Sequence, residues 1–114
     1  MRRAGAFRLL GVAALSLSGC ANMPTPTEDL GVPFVSSEAY AGLSCEELST
    51  ERARLATLEM ESLVMHEKRR DASHGHAFFY GWGRGDGLET VELVKVRGEI
   101  GAVDRAMNVL GCVD

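Results

Sequence analysis

The sequence lacks the features that define several large classes of protein. Its 114 residues suffice for one small domain, and only 6% of them are aromatic. Three of its 12 Lys and Arg residues precede Cys20, whereas none of its 16 acidic residues does, so the chain from Cys20 onward carries a net charge of −7. Nucleic-acid binding depends on neutralising phosphates with Lys and Arg, and we therefore expect no nucleic-acid partner.

Motifs for nucleotide binding and catalysis are also missing. The glycine-rich stretch from Gly81 does not follow the G-x-G-x-x-G pattern, because its sixth residue is Asp86, and the sequence contains no G-K-[ST] motif. No Ser-His-Asp or Cys-His set suited to nucleophilic catalysis is available. We expect no nucleotide, no other cofactor and no enzymatic activity.

The N-terminus has no apolar run long enough to span a bilayer. Three arginines precede an apolar stretch at residues 9–17, which at nine residues falls far short of the roughly twenty that a transmembrane helix needs. This pattern is typical of an export signal. The sequence that follows, Leu17-Ser18-Gly19-Cys20, resembles the lipobox of bacterial lipoproteins at all four positions. An ordinary secretory signal with a coincidental cysteine is the alternative.

The lipobox resemblance implies that residues 1–19 are a signal peptide and that Cys20 is acylated. A mature lipoprotein of this type carries two or three acyl chains, which hold it permanently on a membrane. The residue after Cys20 is Ala21 rather than the Asp that favours inner-membrane retention. We expect a protein of the bacterial cell envelope that faces the periplasm, on the outer membrane rather than the inner one.

A tether is predicted between the lipidated cysteine and the folded domain. Residues 20–43 contain all three prolines together with several Ser, Thr and Gly, a composition that buries too little apolar surface to order itself. Phe34, Val35 and Tyr40 could dock on the domain near the end of this segment. We predict a flexible tether that is at most partly ordered.

A first helix is predicted to begin the domain, which spans residues 44–113. Ser44 and Glu47 form the capping-box pattern, and neither Gly nor Pro interrupts the sequence from there to Arg70. One face of this stretch is marked at helical spacing by Leu48, Leu55, Leu58, Ser62 and Met65. We predict a helix over about residues 45–70.

A second helix is indicated by apolar residues that alternate in spacing between three and four. They are Leu93, Val96, Ile100, Val103, Met107 and Leu110. A strand over residues 90–97 is the alternative, but Leu93 and Val94 are adjacent, so apolar and polar residues do not alternate strictly as they would in a strand. We predict a helix over about residues 89–110 that ends at Gly111. Gly98 lies on the side of Ala102, where a missing side chain would allow another backbone to approach closely.

Two cysteines remain once Cys20 is assigned to lipid. Thiols oxidise in the compartment that the signal implies, so Cys45 and Cys112 are expected to pair. In an antiparallel hairpin Cys45 opens the first helix and Cys112 closes the second, which places them face to face. The predicted fold class is therefore all-α, a two-helix antiparallel hairpin closed by a disulfide. A metal site on these thiols would need two further ligands, and none is near in sequence.

The predicted loop, residues 71–88, concentrates the aromatic residues of the chain. Phe78, Phe79, Tyr80 and Trp82 lie within five positions, and alternating glycines follow. These side chains could fold back on the end of the helical seam, contact a protein partner or another copy, or insert shallowly into a membrane interface. All four are candidate partner or membrane contacts.

Metal binding is the second functional hypothesis. His66, His74 and His76 could bind Zn²⁺ or Cu²⁺, with Asp71 as a fourth ligand. A small periplasmic metal-binding module is thus the alternative to a structural or protein-interaction role. Two amphipathic helices with spare apolar flanks also suit a homodimer.

Four motifs together resemble a family of small Gram-negative lipoproteins of unassigned function. They are Ser44-Cys45-Glu46-Glu47-Leu48, an aromatic glycine-rich loop that ends in Gly85-Asp86, Lys95-x-Arg97-Gly98-Glu99 and the terminal Cys112. The resemblance covers residues 44–112 and the lipobox. It implies a helical hairpin with a hydrophobic turn and a cysteine pair at the open end.

Overall fold

The protein is an antiparallel pair of α-helices, seen here in a computed structural model that describes residues 21–112. Helix α1 spans Cys45–Tyr80 and helix α2 spans Leu88–Leu110. Two short 3₁₀ turns, Thr27–Asp29 and Ser37–Tyr40, precede them, and the described part of the chain contains no strand. The predicted signal peptide and the predicted acylation site Cys20 lie outside the described residues. The all-α hairpin predicted from the sequence is confirmed.

Helix α1 begins where the capping box predicts and ends ten residues later than expected. The Ser44 hydroxyl accepts from the Glu47 amide at 3.2 Å, and the Glu47 carboxylate accepts from the Ser44 amide at 3.3 Å. The helix ends at Tyr80 and is capped by Gly81, whose φ of 83° suits a glycine C-cap. The prediction of a loop over residues 71–88 is therefore wrong for residues 71–80, and the true turn is residues 81–87. Tertiary contacts stabilise the extension, because Ser73 is fully buried and accepts from the Arg84 amide.

The two helices pack along a seam that is apolar at one end and polar at the other. Leu48 and Leu55 of α1 form the core with three residues of α2, which are Val96, Val103 and Ala106. Towards the turn, the buried positions of α1 are Ser62, His66 and Ser73. The seam therefore requires hydrogen bonds at its turn end, since buried polar groups are costly when they are unpaired.

A disulfide closes the apolar end of the seam. Cys45 and Cys112 are bonded with a Cα–Cα distance of 5.5 Å, as predicted, and they are 67 residues apart in sequence. Further from the disulfide, Arg52 pairs with Asp104 across the helices at 2.7 Å. The helices therefore keep one antiparallel register along their length. No helix among residues 21–112 is both long enough and apolar enough to cross a lipid bilayer.

Residues 21–43, here called the N-terminal strap, pack against the hairpin at several points, so this segment is ordered over more of its length than the partly ordered tether that the sequence predicts. The strap starts beside the turn, where Ala21 forms an isolated parallel bridge with Trp82. It passes over α2 at Gly98 and reaches the core near the disulfide with Tyr40. The close approach expected at Gly98 is confirmed, and the backbone that approaches is the strap's own.

Candidate functional site

The turn end of the hairpin carries an exposed apolar cluster, here called the aromatic end. It consists of Phe78, Phe79, Tyr80, Trp82 and Leu88, with exposed fractions of 85%, 79%, 62%, 56% and 87%. The four aromatic residues are those singled out in the sequence. They do not fold back on the seam, which was the first of the three arrangements considered, because the last turns of α1 carry them beyond it.

Helix geometry explains why these side chains point outward. Consecutive residues lie about 100° apart around a helix, so Phe78, Phe79 and Tyr80 cannot all face α2. The Phe78 and Phe79 rings meet edge to face with centroids 5.2 Å apart. His76 stacks on Tyr80 at 4.6 Å, and its Nδ1 donates to the Trp82 carbonyl oxygen at 2.7 Å. The aromatic end is therefore held in place from α1, although it is exposed.

The first residues of the strap are hydrogen-bonded into the same turn. The Gly83 amide donates to the Ala21 carbonyl at 2.9 Å, and the Gly85 amide donates to the Asn22 carbonyl at 2.7 Å. A Cβ on Gly83 would lie 2.6 Å from the Met23 sulfur, and Gly85 has a φ of 69°. The alternating glycines thus allow the strap to approach the turn. Ala21 is consequently fixed beside Trp82.

A second group of contacts, here called the strap clamp, follows within a few residues. Asp86 accepts from the Thr25 amide at 2.7 Å and from its hydroxyl at 2.6 Å. The Thr27 hydroxyl donates to the Glu67 carboxylate. His66 Nε2 donates to the Thr25 carbonyl at 2.8 Å. The clamp therefore ties the strap to α1 and to the turn at the same time.

His66 is the buried centre of the strap clamp. Its Nδ1 lies 2.7 Å from the Thr90 hydroxyl, which also accepts from the Gly87 amide. Because the Thr25 carbonyl only accepts, Nε2 must carry a proton, and Nδ1 shares a hydrogen bond with the Thr90 hydroxyl. Every polar atom of the ring is paired, and no buried side-chain nitrogen or oxygen within residues 21–112 lacks a partner.

Three carboxylates around the clamp are held in their ionised form. The hydrogen bond from Thr27 lowers the pKa of Glu67. Burial raises the pKa of Asp86, but the two hydrogen bonds from Thr25 together with nearby charge, including that of Arg69, outweigh burial, and the pKa is lowered. Burial also raises the pKa of Glu89, but a hydrogen bond from its own backbone amide and the nearby Arg69 stabilise the charged form, and the pKa is lowered. The clamp thus depends on ionised acids.

The three histidines considered as metal ligands are not brought together. His66 uses both ring nitrogens in protein hydrogen bonds, and His76 uses one. His74 is exposed and lies about 200° from His76 around α1. Within residues 21–112, no group of three His, Cys, Asp or Glu side chains could hold a metal ion.

The opposite end of the hairpin has an open groove beside the disulfide, here called the distal groove. It is lined by Ser49, Arg52, Ala53, Asp104, Met107, Asn108 and Cys112. Val109 and Leu110 are exposed next to it, with exposed fractions of 85% and 49%. Neither this groove nor the strap clamp was predicted from the sequence. The alternating glycines of the turn were the one signal that another segment approaches there.

Comparison with models of protein families, with curated proteins and with solved structures finds no match to this chain. The structure alone therefore defines the class of protein. It is a disulfide-closed helical hairpin whose N-terminal strap runs from an exposed aromatic end to the disulfide end.

Proposed function

We propose that this protein is a lipid-anchored structural or protein-interaction component of the bacterial cell envelope. The proposal combines the lipobox resemblance at Cys20 with one structural observation: Ala21 is hydrogen-bonded into the turn beside Trp82. Adjacent Cα atoms lie about 3.8 Å apart, so acyl chains on Cys20 would attach within one residue of the aromatic end. A lipid at that position would anchor the hairpin to the membrane by its aromatic end.

An anchor at the aromatic end determines which surface is left for a partner. Helix α1 has 36 residues and is therefore roughly 54 Å long at 1.5 Å per residue. The disulfide end would stand at about that distance from the membrane if the rod is upright. The distal groove and its apolar neighbours Val109 and Leu110 are the surface that this arrangement offers to another envelope protein.

The anchor is tested by labelling cells with radioactive palmitate and fractionating them. We expect label in the wild-type protein and recovery with the membranes, whereas Cys20→Ala is unlabelled and leaves the membrane fraction. The proposal fails if the wild type takes up no label, or if Cys20→Ala remains on membranes to the same extent.

The partner surface is tested by site-specific photocrosslinking in cells. A photoreactive residue at Asn108, in the distal groove, is expected to yield a discrete protein adduct. The same residue at Thr57, exposed in the middle of α1, is the matched control and is expected to yield none. Equal adducts at both positions, or none at Asn108, would argue against a partner at the distal groove.

A further inference from the structure

We propose that the aromatic end inserts into the membrane interface beside the lipid anchor and sets the rod's orientation as a second, non-covalent contact. The inference rests on the proposed acylation of Cys20. The observation that supports it is the contact between Ala21, the first described residue, and Trp82 of the aromatic end.

The chemistry of the aromatic end fits a lipid interface. Tryptophan and tyrosine favour the headgroup region, where the ring is shielded and the polar atom stays hydrated. Phe78, Phe79 and Leu88 have no polar atom and are the three most exposed members of the cluster. Arg84 lies exposed in the same turn and provides a cation that anionic headgroups attract.

The location of the aromatic end favours a lipid surface over a protein partner as its contact. The first residues of the strap are held in position, because the Gly83 and Gly85 amides donate hydrogen bonds to the Ala21 and Asn22 carbonyl oxygens. Acyl chains that begin one residue earlier would bring the bilayer to the aromatic end itself. A protein partner at the same place would have to displace that bilayer surface, whereas the distal groove is free of this competition.

The structure also explains how the cluster remains available for insertion. Part of its polar surroundings is already paired within the protein, since His76 Nδ1 donates to the Trp82 carbonyl and Asp86 accepts twice from Thr25. These hydrogen bonds reduce the number of polar sites that would lose water on insertion. Shallow insertion of about 5–10 Å is the depth that interfacial segments reach, and it would suffice to bring the exposed rings into the headgroup boundary.

The test uses the purified acylated protein in vesicles of phosphatidylethanolamine and phosphatidylglycerol. Trp82 is the only tryptophan of the chain, so its fluorescence reports on the aromatic end alone. Insertion predicts a blue-shifted emission, strong quenching by lipids brominated near the headgroup end of the acyl chain, and protection from iodide. The matched control places the probe at the other pole, as Trp82→Phe with Val109→Trp, where we expect iodide quenching and no effect of brominated lipids.

A second comparison separates a specific contact from mere proximity. Phe78→Ser with Phe79→Ser is expected to abolish most of the quenching by brominated lipids. Val109→Ser with Leu110→Ser changes an exposed apolar pair at the far end and should leave the quenching unchanged. All four positions are exposed, so neither variant removes a core contact.

The outcomes distinguish failure of this inference from failure of the anchor. If the protein does not sediment with the vesicles, the anchor proposal is wrong. If it sediments but iodide still quenches Trp82 and brominated lipids do not, the insertion proposal alone is overturned. Protection of Trp82 from both quenchers, rising with the protein-to-lipid ratio, would overturn it in favour of contact with a second copy.

Discussion

Two glycines of α2 give a sharp test of the strap because the same substitution should have different effects at each. A Cβ on Gly98 would lie 2.8 Å from the Pro33 carbonyl oxygen and 2.8 Å from Val35 Cγ2, so the strap would have to move. A Cβ on Gly101 would meet only Arg105 Nη1 at 3.5 Å, an ordinary contact. Both positions lie inside the same helix.

The magnitudes follow from opposing terms. Replacing Gly by Ala inside a helix stabilises by about 1 kcal/mol, and this gain applies at both positions. Overpacking costs about 1–3 kcal/mol, and it applies only to Gly98→Ala. We therefore expect Gly101→Ala to be stabilising, Gly98→Ala to be neutral or destabilising by up to about 2 kcal/mol, and the two to differ by about 1–3 kcal/mol.

Thermal unfolding of the oxidised protein, followed by far-ultraviolet circular dichroism, measures this difference. One kcal/mol corresponds to a shift of about 4–8 °C in Tm for a domain of this size, so the variants should differ by at least about 4 °C. Hydrogen exchange should rise in the strap of Gly98→Ala near Val35 and not in Gly101→Ala. An equal rise in Tm for both variants would refute the packing of the strap on α2.

Three further predictions concern the seam and its closure. Thr90→Val should lower the free energy of unfolding by about 1–3 kcal/mol in urea titrations, because it removes the hydroxyl that is hydrogen-bonded to the buried His66 Nδ1. Thr90→Ser keeps a hydroxyl and should lose less. Reduction of the disulfide should cost about 4 kcal/mol, since it opens a long loop; a loss below about 1 kcal/mol would contradict this estimate. The pKa values of Asp86 and Glu67 are lower in the folded protein than in the unfolded chain, so on acidification the unfolded chain binds protons at these groups at a higher pH than the folded protein does. Their contribution to stability is therefore present above about pH 4 and falls as the pH drops further. Urea titrations across that range should show a weaker pH dependence in Asp86→Asn, and an unchanged one would count against the clamp.

Local patterns in the sequence were sufficient for the hairpin itself. The capping box at Ser44, the alternating spacing from Leu93 to Leu110 and the terminal Gly111 mark helix boundaries through interactions between residues a few positions apart. The cysteine pair followed from their places at the two free helix ends. The disulfide, the antiparallel register and most of α2 are therefore predictable without a structure.

The polar half of the seam shows where periodicity misleads. The apolar stripe of α1 pointed to Met65 as a seam residue, yet Met65 is 52% exposed and His66 is fully buried beside it. A search for apolar residues at helical spacing selects a methionine as a buried residue in preference to a histidine. Burial of the histidine here depends on whether its ring nitrogens find hydrogen-bond partners. Those partners, Thr25 and Thr90, are 41 and 24 residues away, and nothing local identifies them.

By itself, the sequence determined the two helices, their closure by a disulfide and the aromatic identity of the turn. The tertiary structure alone decided that α1 continues to Tyr80, that the proline-rich strap is ordered, and that Ala21 lies beside Trp82. Composition predicts disorder because it measures how little apolar surface a segment buries on its own. The strap is held instead by hydrogen bonds to groups about sixty residues away, such as Thr25 to Asp86, and the energy of such contacts exists only once the hairpin has formed.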